Sequence, residues 1–226
     1  PSPEAIEEVK KIAALPGITM QGIFTHFSEA DIADKEWAHE QHSRFSAFID
    51  ALKGAGVTFN IHHCCNSAGT LELPDFHRDM IRPGIIQYGY DASKEVLVTG
   101  TKIKPVMSLR CCITHLKTIY EGDCVGYGRH FTAKGPTKIA TLPIGYADGY
   151  NRALSSKIDV IVHGVRAHQV GNICMDQCMI DVSHIPNVKV GDEVVLFGEQ
   201  GSECVSADEI ADTCHTIIHE ITCNIN

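Results

Sequence analysis

The sequence lacks an excess of basic residues, a long apolar run and a signal-like start, and each absence excludes a class of protein. The formal net charge is −9, which argues against nucleic acid or an anionic membrane surface as the main partner. No apolar run approaches the ~20 residues that cross a bilayer. The first residues, PSPE, have neither the basic nor the apolar region of a secretory signal. We therefore expect a cytoplasmic protein with no nucleic-acid or membrane partner.

The sequence also lacks the residue spacings of a common metal site or of a disulfide framework. Its 13 histidines and 10 cysteines include no CxxC pair and no HExxH pattern, so that we expect no metal. Two adjacent cysteine pairs, Cys64-Cys65 and Cys111-Cys112, do not suit a disulfide framework, and other cysteines lie in apolar stretches. This usage favours reduced, buried thiols that act as small apolar side chains.

The first part of the chain alternates helix and strand patterns. We predict a helix at 2–17 with Ser2 as its cap, and a helix at 37–54 whose apolar face includes Trp37. We also predict strands at 18–27 and 57–61, and a strand followed by a turn at 80–89. Polar residues follow each strand, as in parallel sheets whose sites lie at the carboxyl ends of the strands. A complete (β/α)₈ barrel takes ~250 residues. We therefore predict an α/β domain over residues 1–95, either a small open sheet or the later part of a TIM-type (β/α)₈ barrel.

The pattern changes to short strands with Gly and Asp turns after residue 104. Apolar residues alternate at 107–113 and, roughly, at 139–142 and 160–162, and they form a short run at 194–197, which predicts a mostly β domain over 104–226. One helix is expected near the end, where Ser206 and Glu209 form a capping box. Its apolar face would contain Ile210, Cys214, Ile217 and Ile221. The domain boundary falls near 92–104.

Tyr127 and Tyr146 in the second domain each lie next to a glycine. Tyr127 stands between Gly126 and Gly128, and Tyr146 follows Gly145. Glycine adopts backbone angles that are closed to other residues, so that a tyrosine held in this way can present its hydroxyl at the mouth of a site. The alternative is a pair of hairpin turns in which tyrosine is an ordinary strand residue.

Donor groups at the ends of the predicted strands form a candidate phosphate site. Ser67 follows one strand, and Gly84 and Ile85 follow the next. A hydroxyl and backbone N–H groups at such positions suit a phosphate. The alternative is a helix cap at Ser67 and a tight turn at Gly84.

Three cationic or titratable side chains end strands in the same domain. Arg82 requires a partner there, which is Asp79, a carbonyl group or a cofactor. His26 and His63 also end strands. A lone histidine at such a position is more often a hydrogen-bonded core group than a ligand.

Six motifs, in a fixed order, extend over almost the whole chain. They are THF (25–27), HCCNSA (63–68), MIRPGI (80–85), VGYG (125–128), LPIGYADGY (142–150) and GNICMDQCMIDV (171–182). Together they resemble the alanine racemase family, whose members are pyridoxal-phosphate enzymes with a (β/α)₈ barrel and a C-terminal β domain. The resemblance implies a homodimer that uses pyridoxal 5'-phosphate to convert L-alanine to D-alanine for bacterial cell-wall synthesis.

The resemblance implies roles in catalysis and substrate binding for residues of the second domain. Tyr127 resembles the catalytic tyrosine, the base that exchanges the α-proton on one face of the substrate across the dimer interface. Tyr146 matches a second tyrosine at the approach to the site, and Met175 matches a backbone contact to the substrate carboxylate. A tyrosine serves as a base only where positive charge or hydrogen bonds favour its phenolate.

The resemblance also implies cofactor contacts in the first domain. Arg82 resembles the arginine that donates to the pyridine nitrogen, His63 the histidine that orients it, and His26 a histidine near the cofactor ring. The residues that match phosphate contacts are Ser67, Gly84 and Ile85. Because arginine keeps its proton, the pyridine nitrogen should stay unprotonated, which disfavours side reactions such as transamination.

Parts of the family pattern have no match in this chain. The cofactor-binding lysine in a motif like VKANAYGHG, the carboxylate-binding arginine and a supporting lysine are all missing. The chain starts without Met, and it ends before an RVPR-like segment and a phosphate-contacting tyrosine. Ala167-His168-Gln169 also departs from the usual AP-I pattern. We therefore expect a fragment that contains the later half of the barrel and most of the β domain.

Two other functions remain open for the complete protein. One is the serine-racemising branch of the same family, and the other is a non-catalytic module that binds the cofactor or serves assembly. The second would need the phosphate contacts but not Tyr127.

We predict that the 226-residue chain alone is inactive, because the cofactor-binding lysine is not in it. An assay of alanine racemisation with the purified chain checks this, and any measurable turnover contradicts it.

Overall fold

The computed structural model describes residues 2–95 and 103–225, which belong to two compact units, Pro1–Lys104 and Pro105–Asn226. The predicted boundary at 92–104 lies partly outside the described residues. Within those residues, no helix has both the length and the apolar character that crossing a membrane requires. The cysteines are free, but only Cys64, Cys65 and Cys178 are buried, so that the predicted role as small core residues holds for these alone.

The described part of the first unit contains three α-helices and a short parallel sheet. Helix α1 spans Pro3–Ala13, strand β1 Gly22–Phe24, helix α2 Glu36–Gly54, strand β2 Ile61–His63 and helix α3 Ser67–Glu72. Strands β1 and β2 pair in parallel, and His63 forms an isolated parallel bridge with Met80. Short 3₁₀ helices occupy Pro74–Phe76 and Ile85–Tyr88. Parallel strands separated by a helix are the repeating unit of a β/α barrel.

Local signals place the two long helices of this unit. As predicted, Ser2 caps α1 by accepting a hydrogen bond from Ala5 N at 3.3 Å. Helix α2 buries an apolar face, whose buried residues are Ala38, Phe45 and Leu52. Trp37, predicted on the same face, is instead 43% exposed, and its indole Nε1 donates to Ser28 Oγ at 2.8 Å.

The strands of the first unit are shorter than predicted, and one is displaced along the chain. Only Gly22–Phe24 of the predicted strand at 18–27 is paired. The strand predicted at 57–61 lies instead at Ile61–His63. Val57 N donates to Leu52 O of α2 at 2.9 Å, so that residue 57 is still bonded to the end of the helix. In the segment 80–89 only Met80 pairs, since Pro83 has no N–H to donate and a 3₁₀ helix follows.

The second unit is an antiparallel β domain that ends in two helices. Its elements are β3 (Leu109–Cys112), β4 (His115–Ile119), β5 (Cys124–Val125), β6 (Phe131–Thr132), β7 (Thr137–Leu142), β8 (Asp159–Val162), β9 (Val165–Gln169), β10 (Cys178–Asp181), β11 (Glu193–Gln200), β12 (Glu203–Val205), α4 (Ala207–Cys214) and α5 (Ile218–Asn224). The main sheet has the order β12-β11-β8-β9-β10-β7-β4, and β3 pairs with β11. Strands β5 and β6 pair separately. Residues 160–162 of β8 are all buried, so that this strand is covered on both faces.

The end of the second unit differs from the predicted single helix. Glu209 N donates to Ser206 Oγ at 3.0 Å, which is half of a capping box, but the Glu209 carboxylate binds Arg166 at 2.8 Å. His215 adopts a positive φ of 55° and ends α4. Ile217 then precedes α5 and is exposed instead of lying on a common apolar face. The long-range ion pair and the left-handed residue therefore override the local helix pattern.

Candidate functional site

Arg82 is the centre of a hydrogen-bond network in the first unit. Its guanidinium Nη1 lies 2.5 Å from His63 Nδ1, and its Nη2 lies 3.3 Å from His26 Nδ1 and 3.1 Å from Thr25 O. Its backbone N–H donates to Cys65 O at 2.9 Å. The structure therefore brings three of the predicted site residues together where the parallel strands end.

The contact with Arg82 determines which ring nitrogen of His63 carries the proton. A guanidinium has donors and no acceptor, so that Nδ1 of His63 accepts and its neutral ring carries the proton on Nε2. Burial, and then the charge of Arg82, lower the pKa of His63 and keep the ring neutral at neutral pH. The ring of Phe24 stacks on His63 with the centroids 5.2 Å apart, and the Arg82 guanidinium lies 5.2 Å from the centroid of Phe24.

Asp79, one of the partners considered for Arg82, binds a different residue. Its Oδ2 accepts a hydrogen bond from His62 N and lies 2.8 Å from His62 Nδ1, and these contacts hold the pKa of Asp79 below its usual value. Arg82 donates to carbonyl oxygens instead, those of Thr25 and Cys64. All these guanidinium bonds come from the Nη atoms. Among the described residues the Nε–H has no acceptor, and it is left to donate to a ligand.

Ser67 lies next to Gly84 and Ile85 in the same unit. Gly84 N donates to Ser67 Oγ at 2.8 Å, which leaves the serine its own proton to donate. Ile85 opens the 3₁₀ helix, and its N–H has no acceptor within that helix. Asn66, and not Ser67, caps α3 by accepting from Gly69 N at 3.0 Å, so that the helix-cap alternative for Ser67 is wrong. A hydroxyl and a backbone donor are thus available together for a phosphate.

Tyr127 lies on a short loop between β5 and β6 of the second unit. The flanking Gly126 and Gly128 have φ angles of 70° and 76°, a region that glycine adopts readily. The tyrosine is 77% exposed, so that its ring is not packed as an ordinary strand residue. The loop thus offers the phenol hydroxyl to molecules outside the β domain.

The backbones of the Tyr146 and Met175 segments cross at close range. Tyr146 N donates to Cys174 O at 3.0 Å, and Ala147 N donates to Met175 O at 3.0 Å. Gly145 permits this approach, since a Cβ at that position would lie 2.2 Å from Cys174 O and 2.3 Å from Met175 O. The structure therefore brings the two predicted substrate residues together, and both are exposed.

An open cavity of about 530 Å³ lies beside Tyr146 in the second unit. The residues that line it are Tyr146, Gly149, Asn151, Arg152, Cys223 and Asn224. Arg152 is exposed and gives this cavity a positive charge. In the described part of the chain, no group of three or more His, Cys, Asp and Glu side chains is arranged to hold a metal ion.

Three residues that shape these sites were missed by sequence reasoning. Asn66 precedes a helix and follows the ordinary N-cap preference, which would have identified it. Phe24 and Asn172 act through contacts far along the chain, since Phe24 stacks on His63 and Asn172 Nδ2 donates to Tyr127 O at 2.8 Å. No local pattern encodes such contacts.

Two family models match the chain. The model described as alanine racemase, N-terminal domain, matches residues 1–92, and the model described as alanine racemase, C-terminal domain, matches residues 106–226. Alanine racemase 1 of Clostridium acetobutylicum is 45% identical over 226 residues, which are 100% of this chain and 58% of the relative. An alanine racemase of Clostridium perfringens is 44% identical with the same coverage, 100% and 58%. The chain thus spans less than two thirds of the length of these curated relatives.

Solved structures resemble the chain over its full length. The alanine racemase of Clostridium difficile 630 in complex with cycloserine has a TM-score of 0.93 and 39% identity, and covers 100% of this chain and 59% of its own. The alanine racemase of Bacillus anthracis with bound L-Ala-P has a TM-score of 0.91 and 35% identity, and covers 96% and 56%. These likenesses confirm the predicted fold class, part of a TIM-type (β/α)₈ barrel followed by a mostly β domain.

We predict that Gly145→Ala destabilises the protein, because the added methyl group would overlap the carbonyl oxygens of Cys174 and Met175. The expected loss in the free energy of unfolding is about 1–3 kcal/mol, measured by urea denaturation. Faster hydrogen exchange at the Ala147 amide should accompany it, since this amide donates to Met175 O.

Gly135→Ala is the matched control, because a Cβ at Gly135 meets no atom within 4 Å. Its expected effect is within about 0.5 kcal/mol. Equal stability of the two variants would show that the backbone crossing does not require glycine.

Proposed function

Because the chain belongs to the alanine racemase family, we propose that the complete protein interconverts L- and D-alanine with bound pyridoxal 5'-phosphate. Its product would serve bacterial cell-wall synthesis in the cytoplasm, and its working form would be a homodimer. In this proposal residues 1–95 hold the cofactor, and residues 104–226 supply the groups that act on the substrate. Tyr127 acts on substrate held by the partner subunit.

The observation that carries the proposal is the Arg82 network. Pyridoxal phosphate, when bound, supplies an electron sink for the negative charge that develops at the substrate α-carbon. The free Nε–H of Arg82 fits a hydrogen bond to the pyridine nitrogen, and His63 and His26 hold the guanidinium in place through its Nη atoms. Arg82 keeps its protons, so that it gives that nitrogen a hydrogen bond but no charge. In this role Arg82 would leave the nitrogen unprotonated, and so favour quick return of the α-proton over transamination.

Ser67 and Ile85 fit the cofactor phosphate. The Ser67 hydroxyl accepts from Gly84 N and keeps its own proton to donate, and Ile85 adds a backbone N–H. Both groups are donors, which a phosphate with acceptor oxygens requires. Gly84 acts through Ser67 in this arrangement.

Tyr127, Tyr146 and Met175 would act on the amino acid. The phenol oxygen of Tyr127 takes the α-proton on one face of the substrate, or returns it there. The backbone N–H of Met175 has no acceptor among the described residues and fits the substrate carboxylate. Tyr146 borders the cavity through which the substrate would approach.

The first test is Tyr127→Phe in the complete protein. We expect kcat for alanine racemisation to fall at least ~100-fold, because the base on one face is removed. Tyr120→Phe is the matched control, since Tyr120 is 63% exposed in the same unit, and it should keep wild-type activity. Full activity of Tyr127→Phe would favour a non-catalytic module instead.

The second test is Arg82→Glu. A carboxylic group opposite the pyridine nitrogen favours its protonated form and strengthens the sink, so that the ratio of transamination to racemisation should rise. The ratio is measured from the amount of cofactor converted to its amine form per alanine racemised. Arg44→Glu on the exposed face of α2 serves as the control, and unchanged partitioning in Arg82→Glu would contradict the role of Arg82.

The serine-racemising branch of the family is the alternative enzyme. Turnover of D- and L-serine against D- and L-alanine by the complete protein separates the two substrates.

A further inference from the structure

The exposed phenol of Tyr127 depends on its backbone for its position. The ring is 77% exposed, and the loop that carries it contains two glycines with positive φ. Arg129 in the same loop also has a positive φ, of 53°, and its Nε donates to Cys124 Sγ at 3.4 Å. That contact ties the loop only to the strand from which it starts. A base must be held close to the proton that it takes, since a displacement of ~1 Å can cost ~100-fold in rate.

Asn172 ties the same loop to a separate segment of the β domain. Its side-chain Nδ2 donates to the main-chain oxygen of Tyr127 at 2.8 Å. Among the described residues, this is the side-chain hydrogen bond that reaches the Tyr127 backbone. The backbone of Asn172 also lies against the loop, because a Cβ at Gly126 would be 3.6 Å from Asn172 N and O.

The residues on either side of Asn172 are firmly placed. Gly171 has a φ of 73°, and a Cβ there would lie 2.8 Å from Val125 O, so that the two backbones are in contact. Ile173 is buried, and its N–H donates to Ser155 Oγ at 3.0 Å. The same segment reaches Met175, whose carbonyl oxygen accepts from Ala147 N. Asn172 therefore connects the Tyr127 loop to a fixed part of the fold.

We propose that Asn172 is a positioning residue, which holds the proton-transferring oxygen of Tyr127 in place through its hydrogen bond to the Tyr127 carbonyl group. The inference rests on the proposed function, because it needs Tyr127 to be the base on one face. Asn172 itself touches neither substrate nor cofactor in this role. Loss of its N–H donor loosens the loop and slows the proton transfer at Tyr127, while the proton transfer on the other face keeps its rate.

Asn172→Ala in the complete, cofactor-loaded protein tests the inference. We expect kcat to fall by ~10–100-fold, with KM changed much less. Racemisation of each α-deuterated alanine enantiomer is compared with that of the protiated one. The primary isotope effect should rise for one enantiomer only, because only the step at Tyr127 has become slower. A general loss of folded enzyme lowers activity without changing either isotope effect.

Three further variants separate the possible outcomes. Tyr127→Phe identifies the enantiomer concerned, since that enantiomer no longer exchanges its α-proton with solvent. Asn60→Ala is the control for an exposed asparagine and should behave as wild type. If Asn172→Ala does not fold, Asn172→Asp, which keeps the shape but lacks the N–H donor, is measured in the same way.

Wild-type kcat in the Asn172 variant, or a lower kcat with both isotope effects unchanged, overturns the inference. If Tyr127→Phe still racemises alanine at the wild-type rate, the proposed function of Tyr127 fails first, and the positioning role falls with it. Wild-type activity of Tyr127→Phe thus marks failure of the proposed function, whereas wild-type activity of the Asn172 variant alone marks failure of the positioning role.

Discussion

The guanidinium of Arg82 imposes one constraint on which the rest of the first unit depends, namely that it can donate hydrogen bonds but never accept them. Each group around it must therefore present an acceptor. The carbonyl oxygens of Thr25 and Cys64 do so, and His63 and His26 turn their Nδ1 atoms toward it. The lowered pKa of His63 belongs to the same arrangement, because a protonated ring would have no acceptor left and would repel the guanidinium.

The second unit positions its candidate residues by a different means. Tyr127 and Tyr146 are placed by backbone contacts, and glycines allow those contacts to be close. Gly145 brings the Tyr146 backbone against that of Met175, and Gly171 brings the Asn172 segment against Val125. Because backbone contacts and not side-chain packing fix the position of these residues, their side chains can remain exposed. We therefore expect the position of these residues to be sensitive to methyl groups added at glycines, whereas the Arg82 network should be sensitive to exchanges between donor and acceptor.

Sequence reasoning succeeded where the cause lies within a few residues. The cap at Ser2 and the exposure of Tyr127 between two glycines both follow from neighbours in the chain. It failed where a distant residue decides. Glu209 left its capping box because Arg166 binds its carboxylate. Sequence reasoning left Asp79, a carbonyl group and a cofactor open as partners of Arg82, and could not choose among them because the contact of Asp79 with His62 is not visible in a local pattern. The structure shows carbonyl oxygens as partners. The contact of Asn172 with Tyr127 joins residues 45 positions apart, and no period or motif contains that information.

Four polar groups left free at these sites can each donate a hydrogen bond. In the first unit they are the Arg82 Nε–H, the Ser67 hydroxyl and the Ile85 N–H, and in the second the Met175 N–H. The ligand groups that satisfy these donors must be acceptors, such as a phosphate, a carboxylate or a pyridine nitrogen. The chain as a whole carries a net charge of −9, so that its general field does not attract such a ligand. Affinity must come from these local donors, because hydrogen bonds to charged acceptors are stronger than those between neutral groups.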